Sequence, residues 1–569
     1  ENNLEKNQLL VEKSIMHFNE LDLLVKIGVY SYFIILNSLS RVIFFSALID
    51  LNHKKISKLR SFLFLLNFFI NKIDQILFVI ASIHAFGKEE IKLLNSKETS
   101  KQKINEYYRF IVLGSGPSGS VTALELEKKY PGQVLLIERG NHHSIPKSKH
   151  PGDEFIKKWY RGGINSTFFP SMVAYTSGAC YGGGSEINSG LYHEPDEEFL
   201  LRWTNEYKTE HLTKEDMDRY VKKVTALTHH KPEEKNLFSK KFEQAAKLSS
   251  NEYSYLPRFL DSNGNRNSMS ETLLKEYLER NGNIKLGYEV EKIFFKENKW
   301  FLGSKASNTI FSCENLFICC GSVFTNSLLM KSKVIKRNKK ILKRFKFHPM
   351  IKIIASYDED LQELNDDIVA DQNTEFYPRF IIGNASSSLQ FLVSSFHKNM
   401  SIKEFIFRHW KKMKVFHATF SLGSGRIYNI PFLKEPILTY HLSKSDKIKL
   451  YEGFLETIDF IKSTSPSSVI PVKDKLTHNI KEKNYDSLII NIKDITGFQL
   501  SSVHILGGVT MGEDKNCVVN SYGKVFDTKG LYINDSSLIN TTLLKNPQGT
   551  VMSIAYRNID NFITNDALH

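Results

Sequence analysis

The pattern of hydrophobic and polar positions changes near residue 100 and divides the chain into two regions. Before that point proline is absent and apolar clusters recur with polar interruptions, a pattern that predicts helices. After the polar segment Lys97 to Tyr107, which we interpret as a linker, Phe110 to Leu113 and Val134 to Ile137 predict strands on either side of a helix. Strand and helix signals then alternate to the end of the chain, which predicts an α/β fold.

The first region, residues 1–100, is predicted to be a helical extension with two apolar clusters. Ile27 to Ile49 contains one charged residue, Arg41, which would cost roughly 3 kcal/mol at the centre of a bilayer. Phe62 to Ala81 is broken by polar residues. Three interpretations stay open: the helices pack on the protein body, lie in a membrane interface, or span the membrane. The polar start of the chain does not resemble a signal peptide, so we expect a cytoplasmic protein, with peripheral association with a membrane as an alternative.

Composition indicates a large core and an excess of positive charge. The 569 residues are 41% hydrophobic, enough for more than one domain, and the formal net charge is +14. The densest basic run, Lys331 to Lys346, is interpreted as solvated surface, with an anionic partner as the alternative. No recognition motif accompanies the charge, so we expect no nucleic-acid partner. The five cysteines form no CxxC or Cys/His pattern, so we expect no disulfide framework and no metal site.

A glycine-rich turn follows the first predicted strand and opens the next helix. Gly114, Gly116 and Gly119 give the spacing G-x-G-x-x-G around Ser115. In such a turn the first glycine permits the bend, the second lets backbone amides approach a pyrophosphate, and the third lets the helix pack on the strand. Glu138 ends the second predicted strand about twenty residues on, where an acid can bind a ribose hydroxyl pair. Together these five residues predict a dinucleotide site.

Two further segments point to a known family. Gly178 to Pro195 reads GACYGGGSEINSGLYHEP, and Ser501 to Asn558 contains HILGG and, later, NPQGT. Together with the glycine-rich turn they resemble the glucose–methanol–choline (GMC) family of flavin oxidoreductases, in particular its cholesterol-oxidase-like and choline-oxidase-like branches. The resemblance covers roughly residues 105–569 and is densest at the two ends of that range.

The resemblance implies a Rossmann-type FAD-binding domain and a substrate domain built from a β-sheet and helices, in addition to the N-terminal helical extension. The FAD-binding domain is expected in three parts, the last of which holds the catalytic motifs: 105–199, 266–349 and 496–569. The substrate domain is expected in two parts: 200–265 and 350–495.

The same resemblance implies which residues carry the chemistry. His504, in HILGG, is the expected general base, and Asn546, in KNPQGT, is expected to hydrogen-bond the substrate oxygen. A histidine suits proton removal near neutral pH, whereas an asparagine cannot act as a base. Gly507 and Gly508 are expected to let the backbone pass beneath the flavin ring. The remaining FAD contacts are expected from Gly182, Gly183, Ser185, Asn188, Val290 and Asp535, besides the dinucleotide turn.

Several neighbouring positions carry secondary expectations. Some relatives tether FAD through a histidine shortly after the serine of the second glycine-rich segment; this chain has Ile187 there, which implies non-covalent FAD. The side chain of Glu186 is left open between an outward direction and one that faces substrate. His193 and His348 are expected to have core or capping roles. Ser401 to Val415 predicts an amphipathic basic helix, either on the surface or serving as a lid or membrane-docking face.

The predicted function is FAD-dependent oxidation of an alcohol to a carbonyl compound, with hydride transfer to flavin N5 and proton removal by a histidine base. The substrate class stays open among sugars or polyols, sterol-like alcohols and long-chain alcohols. The electron acceptor is either oxygen or a partner such as a quinone. Two alternatives remain: a membrane-associated flavoprotein subunit that passes electrons to a partner, and a lyase that uses the same scaffold without net oxidation.

Overall fold

The computed structural model describes residues 104–143, 151–163, 165–168, 170–230, 235–304, 307–361, 369–395, 400–431, 433–472, 498–540 and 544–566. The helical extension predicted for residues 1–100 lies outside these ranges, so its three interpretations stay open. Within the described ranges, no helix combines the length and the apolar character that a membrane crossing requires.

Strands in the described ranges form three sheets. In chain order they are β1 Ile104–Leu113, β2 Val134–Ile137, β3 Val173–Tyr175, β4 Tyr253–Tyr255, β5 Asn283–Lys285, β6 Lys292–Lys296, β7 Lys299–Gly303, β8 Thr309–Ile318, β9 Arg344–Phe347, β10 Met350–Ser356, β11 Asp371–Asn373, β12 Phe380–Ala385, β13 Met413–Phe420, β14 Ser424–Tyr428, β15 Ile437–His441, β16 Ser468–Pro471, β17 Leu500–Ser502, β18 Ile505–Leu506 and β19 Leu531–Ile533.

The α-helices of the described ranges lie between these strands and after the last of them. They are α1 Pro117–Lys129, α2 Pro151–Lys158, α3 Glu197–Tyr207, α4 Lys214–Thr225, α5 Leu237–Leu248, α6 Leu273–Glu279, α7 Ser322–Ser332, α8 Leu389–Ser394, α9 Met400–His409, α10 Lys444–Ser463 and α11 Gln548–Asn561. The longest of them, α10, begins with a capping box in which Ser443 and Asp446 satisfy each other's backbone N–H groups.

The first sheet, here called the cofactor sheet, holds the glycine-rich turn. Its strands run in the order β5-β2-β1-β8-β7-β6, and the last residues of β8 also pair with β19. β1 pairs in parallel with β2 and with β8, so the carboxyl ends of these strands meet at one edge. Phe110 to Leu113 and Val134 to Ile137 are buried without interruption, as in parallel strands that are covered on both faces. α1 packs on this sheet, and α11 packs on α1.

The second sheet, here called the substrate sheet, has the order β3-β17-β10-β13-β12-β11-β4, with β16 also paired to β10. One face is packed by α5 and α10, whose aromatic side chains share a core with Ile351 and Ile353 of β10. Because side chains alternate along a strand, Met350 and Lys352 lie on the opposite face, which lines a large cavity. A small third sheet, in the order β15-β14-β9-β18, joins the two larger units.

Two local predictions from the sequence are wrong. β1 begins at Ile104, so the end of the segment interpreted as a linker is already strand, held by parallel pairing with β8. The helix predicted for Ser401 to Val415 ends at His409, and Met413 begins β13. Residues Met413 to Val415 pair with β10 instead, because pairing inside a sheet outweighs the helical period of a short segment.

Candidate active site

The glycine-rich turn joins β1 to α1 at the edge of the cavity. Gly114 has a φ of +104°, and a Cβ there would lie 2.4 Å from the carbonyl oxygen of Cys319. A Cβ on Gly119 would lie 1.8 Å from the carbonyl oxygen of Gly114, so α1 packs tightly on the turn. Gly116 is different: a Cβ built there meets no atom within 4 Å. Gly116 lines a cavity of about 890 Å³. No side chain caps α1, which leaves its first N–H groups available to an anion.

Glu138 is held in place by the turn itself. Its Oε2 accepts hydrogen bonds from the backbone N–H and the hydroxyl of Ser115, at 2.9 and 2.8 Å, and its Oε1 accepts one from Gly140 N–H at 2.9 Å. The Ser115 hydroxyl also accepts a hydrogen bond from Gly182 N–H at 3.1 Å. Glu138 lines the cavity and Ser115 does not. The carboxylate is therefore fixed at the cavity wall, where its remaining lone pairs can accept ribose hydroxyls.

The second glycine-rich segment lies directly against the first. Gly183 has a φ of +58°, and a Cβ there would lie 2.7 Å from the Cα of Gly116. Ser185 is internal to the segment, because its hydroxyl donates to the Gly182 carbonyl at 2.8 Å and accepts from Met269 N–H at 3.0 Å. Gly183 lines the cavity, whereas Gly182 and Ser185 lie behind it. Those two residues shape the segment instead of facing the cavity.

The end of the second glycine-rich segment is hydrogen-bonded to the last helix, α11. The Asn188 amide donates to Gln548 Oε1 at 2.6 Å, and both residues line the cavity. Arg266 donates to the carbonyl oxygens of Glu186 and Asn188. The Glu186 carboxylate is buried and accepts from Ser270 N–H at 3.2 Å, so it faces the protein interior and neither of the directions left open above. Ile187 lines the cavity.

Asp535 and Val290 complete the predicted cofactor contacts. The Asp535 carboxylate accepts hydrogen bonds from Gly321 N–H at 2.9 Å, the Thr325 hydroxyl at 2.5 Å and Ser537 N–H at 2.8 Å. Burial raises the pKa of this carboxyl. These contacts join the loop after β19 to the start of α7, where Gly321, like Gly116, faces open space. Asp535 and Val290 both line the cavity.

His504 lies just after β17 and contacts a second histidine. Its Nδ1 is 3.0 Å from Nδ1 of His348, and the two rings are nearly perpendicular, at 88°. Burial, followed by the neighbouring His348, His193 and His417, holds the pKa of His504 well below its usual value. Burial and the charge of Lys346 lower the pKa of His348 to about 3. At neutral pH both imidazoles are therefore uncharged. When His504 donates from Nδ1, its Nε2 keeps a lone pair, which is the requirement for a base.

Asn546 is hydrogen-bonded through its backbone to a third buried histidine, His193. Its backbone N–H donates to Nδ1 of His193 at 3.2 Å, and Nε2 of His193 lies 3.2 Å from Oε1 of Gln372. Burial lowers the pKa of His193 to about 4. His504 and Asn546 both line the cavity. His193 and His348, expected to serve as core or capping residues, are buried, and each also contacts one of the two predicted catalytic residues.

Gly507 and Gly508, expected beneath the flavin ring, lie close to two asparagine side chains. A Cβ on Gly508 would lie 1.9 Å from Nδ2 of Asn326, and one on Gly507 would lie 3.2 Å from Oδ1 of Asn540. The Asn326 amide also donates to the Gly507 carbonyl at 2.9 Å. Neither glycine lines the cavity. The close approach that they permit is to α7 and to the loop after β19, and it anchors the chain just after β18, the strand that follows His504.

A polar row on the substrate sheet was missed by the sequence analysis. Lys352 of β10 pairs in register with His417 of β13, His417 with Gly383 of β12, and Gly383 with Gln372 of β11. Lys352, His417 and Gln372 line the cavity. The sequence offered one local sign of this row, a single charged residue in the apolar strand MIKIIAS. The other members could not be recognised, because they come from strands far apart in the sequence.

The cavity has the features that FAD requires. Open space lies over Gly116 and Gly321, a helix N-terminus without a side-chain cap faces it, and Glu138 is fixed at its wall. Residues of the cofactor sheet and of the substrate sheet line the same cavity, so a cofactor and a substrate can meet in it. Within the described part of the chain, no group of three or more His, Cys, Asp or Glu side chains is arranged to hold a metal ion.

Sequence comparison finds relatives along most of the chain. N-terminal and C-terminal profiles of GMC oxidoreductases match residues 108–350 and 433–555. An uncharacterised GMC-type oxidoreductase of Sinorhizobium fredii is 23% identical over 79% of this chain and 93% of its own length. A long-chain-alcohol oxidase of Arabidopsis thaliana is 24% identical over 78% of this chain and 67% of its own length.

Solved structures share the fold. Pyridoxine 4-oxidase from Mesorbium loti matches with a TM-score of 0.62 and 13% identity, over 81% of this chain and 99% of its own. A formate oxidase matches with a TM-score of 0.63 and 13% identity, over 82% of this chain and 100% of its own. A variant of the Aspergillus oryzae formate oxidase, studied for its effect on FAD modification, gives a TM-score of 0.62 at 13% identity, over 82% of this chain and 100% of its own. The predicted α/β fold, with a cofactor domain and a substrate domain, is confirmed.

Proposed function

The chain belongs to the GMC oxidoreductase family of flavin enzymes, and on this premise we propose that it oxidises an alcohol to a carbonyl compound, with His504 as the base. The observation that carries the proposal is the neutral His504 at the wall of the shared cavity, with one ring nitrogen engaged by His348. A buried base that is uncharged at neutral pH is ready to accept a proton.

FAD, held in this cavity, would supply the hydride acceptor for the carbon that bears the hydroxyl group. The protein supplies the proton acceptor and the orientation of the alcohol. Nε2 of His504 takes the hydroxyl proton, while Nδ1–H donates to His348 and fixes the ring. The Asn546 amide donates to the alcohol oxygen, and His193 holds the backbone of that residue. Because Asn546 cannot accept a proton, proton removal falls to His504.

The residues at the other end of the cavity would hold the cofactor. The N-terminus of α1, at Gly116, suits the pyrophosphate, and Glu138 suits the ribose hydroxyls. We propose that FAD is bound without a covalent link, because Ile187 at the cavity wall offers no nucleophilic atom. The other residues proposed to contact or shape the site are Gly114, Ser115, Gly119, Gly182, Gly183, Ser185, Asn188, Val290 and Asp535.

The electron acceptor is proposed to be oxygen or a partner electron carrier. The oxidase names of the Arabidopsis thaliana relative and of the structural neighbours support oxygen. Oxygen consumption with substrate, compared with reduction of an artificial acceptor dye, distinguishes the two cases. A product rate that is independent of both acceptors would favour the lyase alternative.

Anaerobic bleaching of the flavin tests the proposed function. The purified enzyme is mixed without oxygen with sugars, polyols, sterols and fatty alcohols, and flavin absorbance is followed. We expect one alcohol class to reduce the flavin, with one carbonyl product formed per flavin. Bleaching by no alcohol, in protein that retains its FAD, would contradict the proposal. Product formation without bleaching would replace it with the lyase alternative.

A further inference from the structure

Lys352 is the charged member of the polar row on the substrate sheet, and its neighbours in that row do not neutralise it. Gln372 is engaged by His193, and Nδ1 of His417 lies 2.9 Å from the Thr419 hydroxyl. Burial lowers the pKa of Lys352, and no charged or hydrogen-bonding partner in the described part of the chain offsets this. Burial and then Lys352 lower the pKa of His417 to about 4, so His417 is neutral. Within the described part of the chain, the Lys352 side chain has no acidic partner.

This ammonium lies on the part of the cavity wall that carries the base. Met350, two residues before Lys352 on the same strand face, pairs with Ser501 of β17, and His504 follows that strand. His348, which contacts His504, precedes Lys352 by four residues, and four residues of extended chain span up to roughly 14 Å. His417 is the cross-strand neighbour of Lys352 and also contributes to the low pKa of His504. An alcohol whose hydroxyl group reaches His504 can therefore extend its other end to Lys352.

We propose that the alcohol oxidised by this chain carries a carboxylate, and that Lys352 is the residue that binds it. The inference rests on the proposed function and names its substrate class: hydroxy acids. A bound carboxylate would supply the Lys352 ammonium with the counter-ion that the described part of the chain does not provide, in a charge-assisted hydrogen bond. The match is to a monoanion, because the row has a single positive charge and a dianionic phosphate would leave a negative charge unpaired in the cavity. The neutral His417 and Gln372 add polar surface without adding charge.

Matched pairs of substrates test the proposal. Each ω-hydroxy acid in a series of graded chain length is compared with the 1-alkanol of the same carbon number, by anaerobic flavin reduction in the holoenzyme. At one chain length, we expect kcat/KM of the hydroxy acid to exceed that of its alkanol by roughly 10- to 100-fold. This factor corresponds to the free energy of a hydrogen bond to a charged group. A preference for the alkanol at every length would overturn the proposal.

Three variants assign the preference to Lys352. Lys352→Met, close in shape but neutral, should lose the preference, so that a hydroxy acid and its alkanol react with similar kcat/KM. Lys352→Arg keeps the charge and should retain most of the preference. Lys414→Met is the matched control. Lys414 is a buried lysine of the neighbouring strand β13, and its side chain packs against Phe238 on the face of the sheet away from the cavity. Equal losses on acids and alkanols in Lys352→Met would assign the lysine to the flavin or the fold, and would overturn its role in substrate binding.

A binding measurement separates this proposal from the proposed function. Unreactive alkanoates and the corresponding primary amides are titrated into the holoenzyme, and perturbation of the flavin spectrum gives Kd. We expect the alkanoate to bind more tightly than the amide in the wild type, and the difference to disappear in Lys352→Met. If no alcohol or hydroxy acid bleaches the flavin but this difference is found, the proposed function fails and the anion site stands. If alkanols bleach the flavin and alkanoates show no preference, the anion site fails and the proposed function stands.

Discussion

The Nδ1 atoms of His348 and His504 lie 3.0 Å apart, and the two rings stand nearly perpendicular. Neither imidazole is charged at neutral pH, so one Nδ1 donates to the other. Donation by His504 leaves its Nε2 free to accept a proton. We propose that His348 is a positioning residue that accepts this hydrogen bond; after burial, it is also the next cause of the low pKa of His504.

The pH profile of His348 variants tests this role. In the wild type, flavin reduction needs neutral His504, so its rate falls only below the lowered pKa of that residue and is constant above it. In His348→Leu one cause of the low pKa of His504 is removed, so the pH below which the rate falls should increase. The maximal rate should also drop roughly tenfold, because one hydrogen bond to the base is lost. His348→Asn places an amide oxygen near the former Nδ1 and should restore most of the rate. Identical pH profiles in the wild type and the Leu variant would argue against this role.

Two glycines of the same turn should respond differently to alanine. A Cβ on Gly116 meets no protein atom within 4 Å, whereas one on Gly119 would lie 1.8 Å from a backbone oxygen. We expect Gly116→Ala to fold with an unchanged melting temperature but to bind FAD weakly, because the methyl group occupies the space left for the pyrophosphate. Gly119→Ala should lower the melting temperature of the apoprotein. The two measurements are FAD titration and thermal unfolding of the apoprotein; full FAD affinity in Gly116→Ala would refute the assignment.

Glu138 should contribute to FAD affinity through its charge. In Glu138→Gln an amide group would face either Ser115 or Gly140, both of which donate to the carboxylate. We expect FAD to bind about 10- to 100-fold more weakly, from the loss of a hydrogen bond to a charged group. Glu297→Gln is the control, since its side chain is exposed at a β-turn. Equal Kd values for FAD in the two variants would exclude a role for the carboxylate.

Acid precipitation tests how FAD is held. Because Ile187 has no nucleophilic atom, all flavin should pass to the supernatant and should be identified there as FAD. Flavin that remains with the denatured protein would show a covalent link through another residue. Recovery of FMN alone would contradict the dinucleotide site at Gly116 and Glu138.

Local motifs were predictable from the sequence, and cross-strand arrangements were not. The turn at Gly114 to Gly119 and the position of Glu138 follow from one strand–turn–helix unit, so nearby residues specify them. The polar row requires the register of four strands, from Lys352 on β10 to Gln372 on β11, and that register depends on how the whole sheet packs.

The contacts of the buried histidines could not be predicted from the sequence either. His193, His348 and His504 come from three distant segments, and the sequence alone gave two of them core or capping roles. The direction of Glu186 was equally inaccessible, because it depends on the backbone N–H of Ser270 in another segment. Contacts of this kind are set by tertiary structure and leave no local pattern.

The rate of flavin reduction in His504→Ala, measured by anaerobic stopped flow with the best substrate of the panel, tests the central claim most directly. We expect a loss of about two to four orders of magnitude, the usual contribution of general acid–base catalysis, and disappearance of the pH-dependent limb. Asn546→Ala should lose only about one to two orders, because it removes a hydrogen bond and not the base. The FAD content of both variants must equal that of the wild type. A His504→Ala enzyme that reduces its flavin at the wild-type rate would contradict the account and move proton removal to another group.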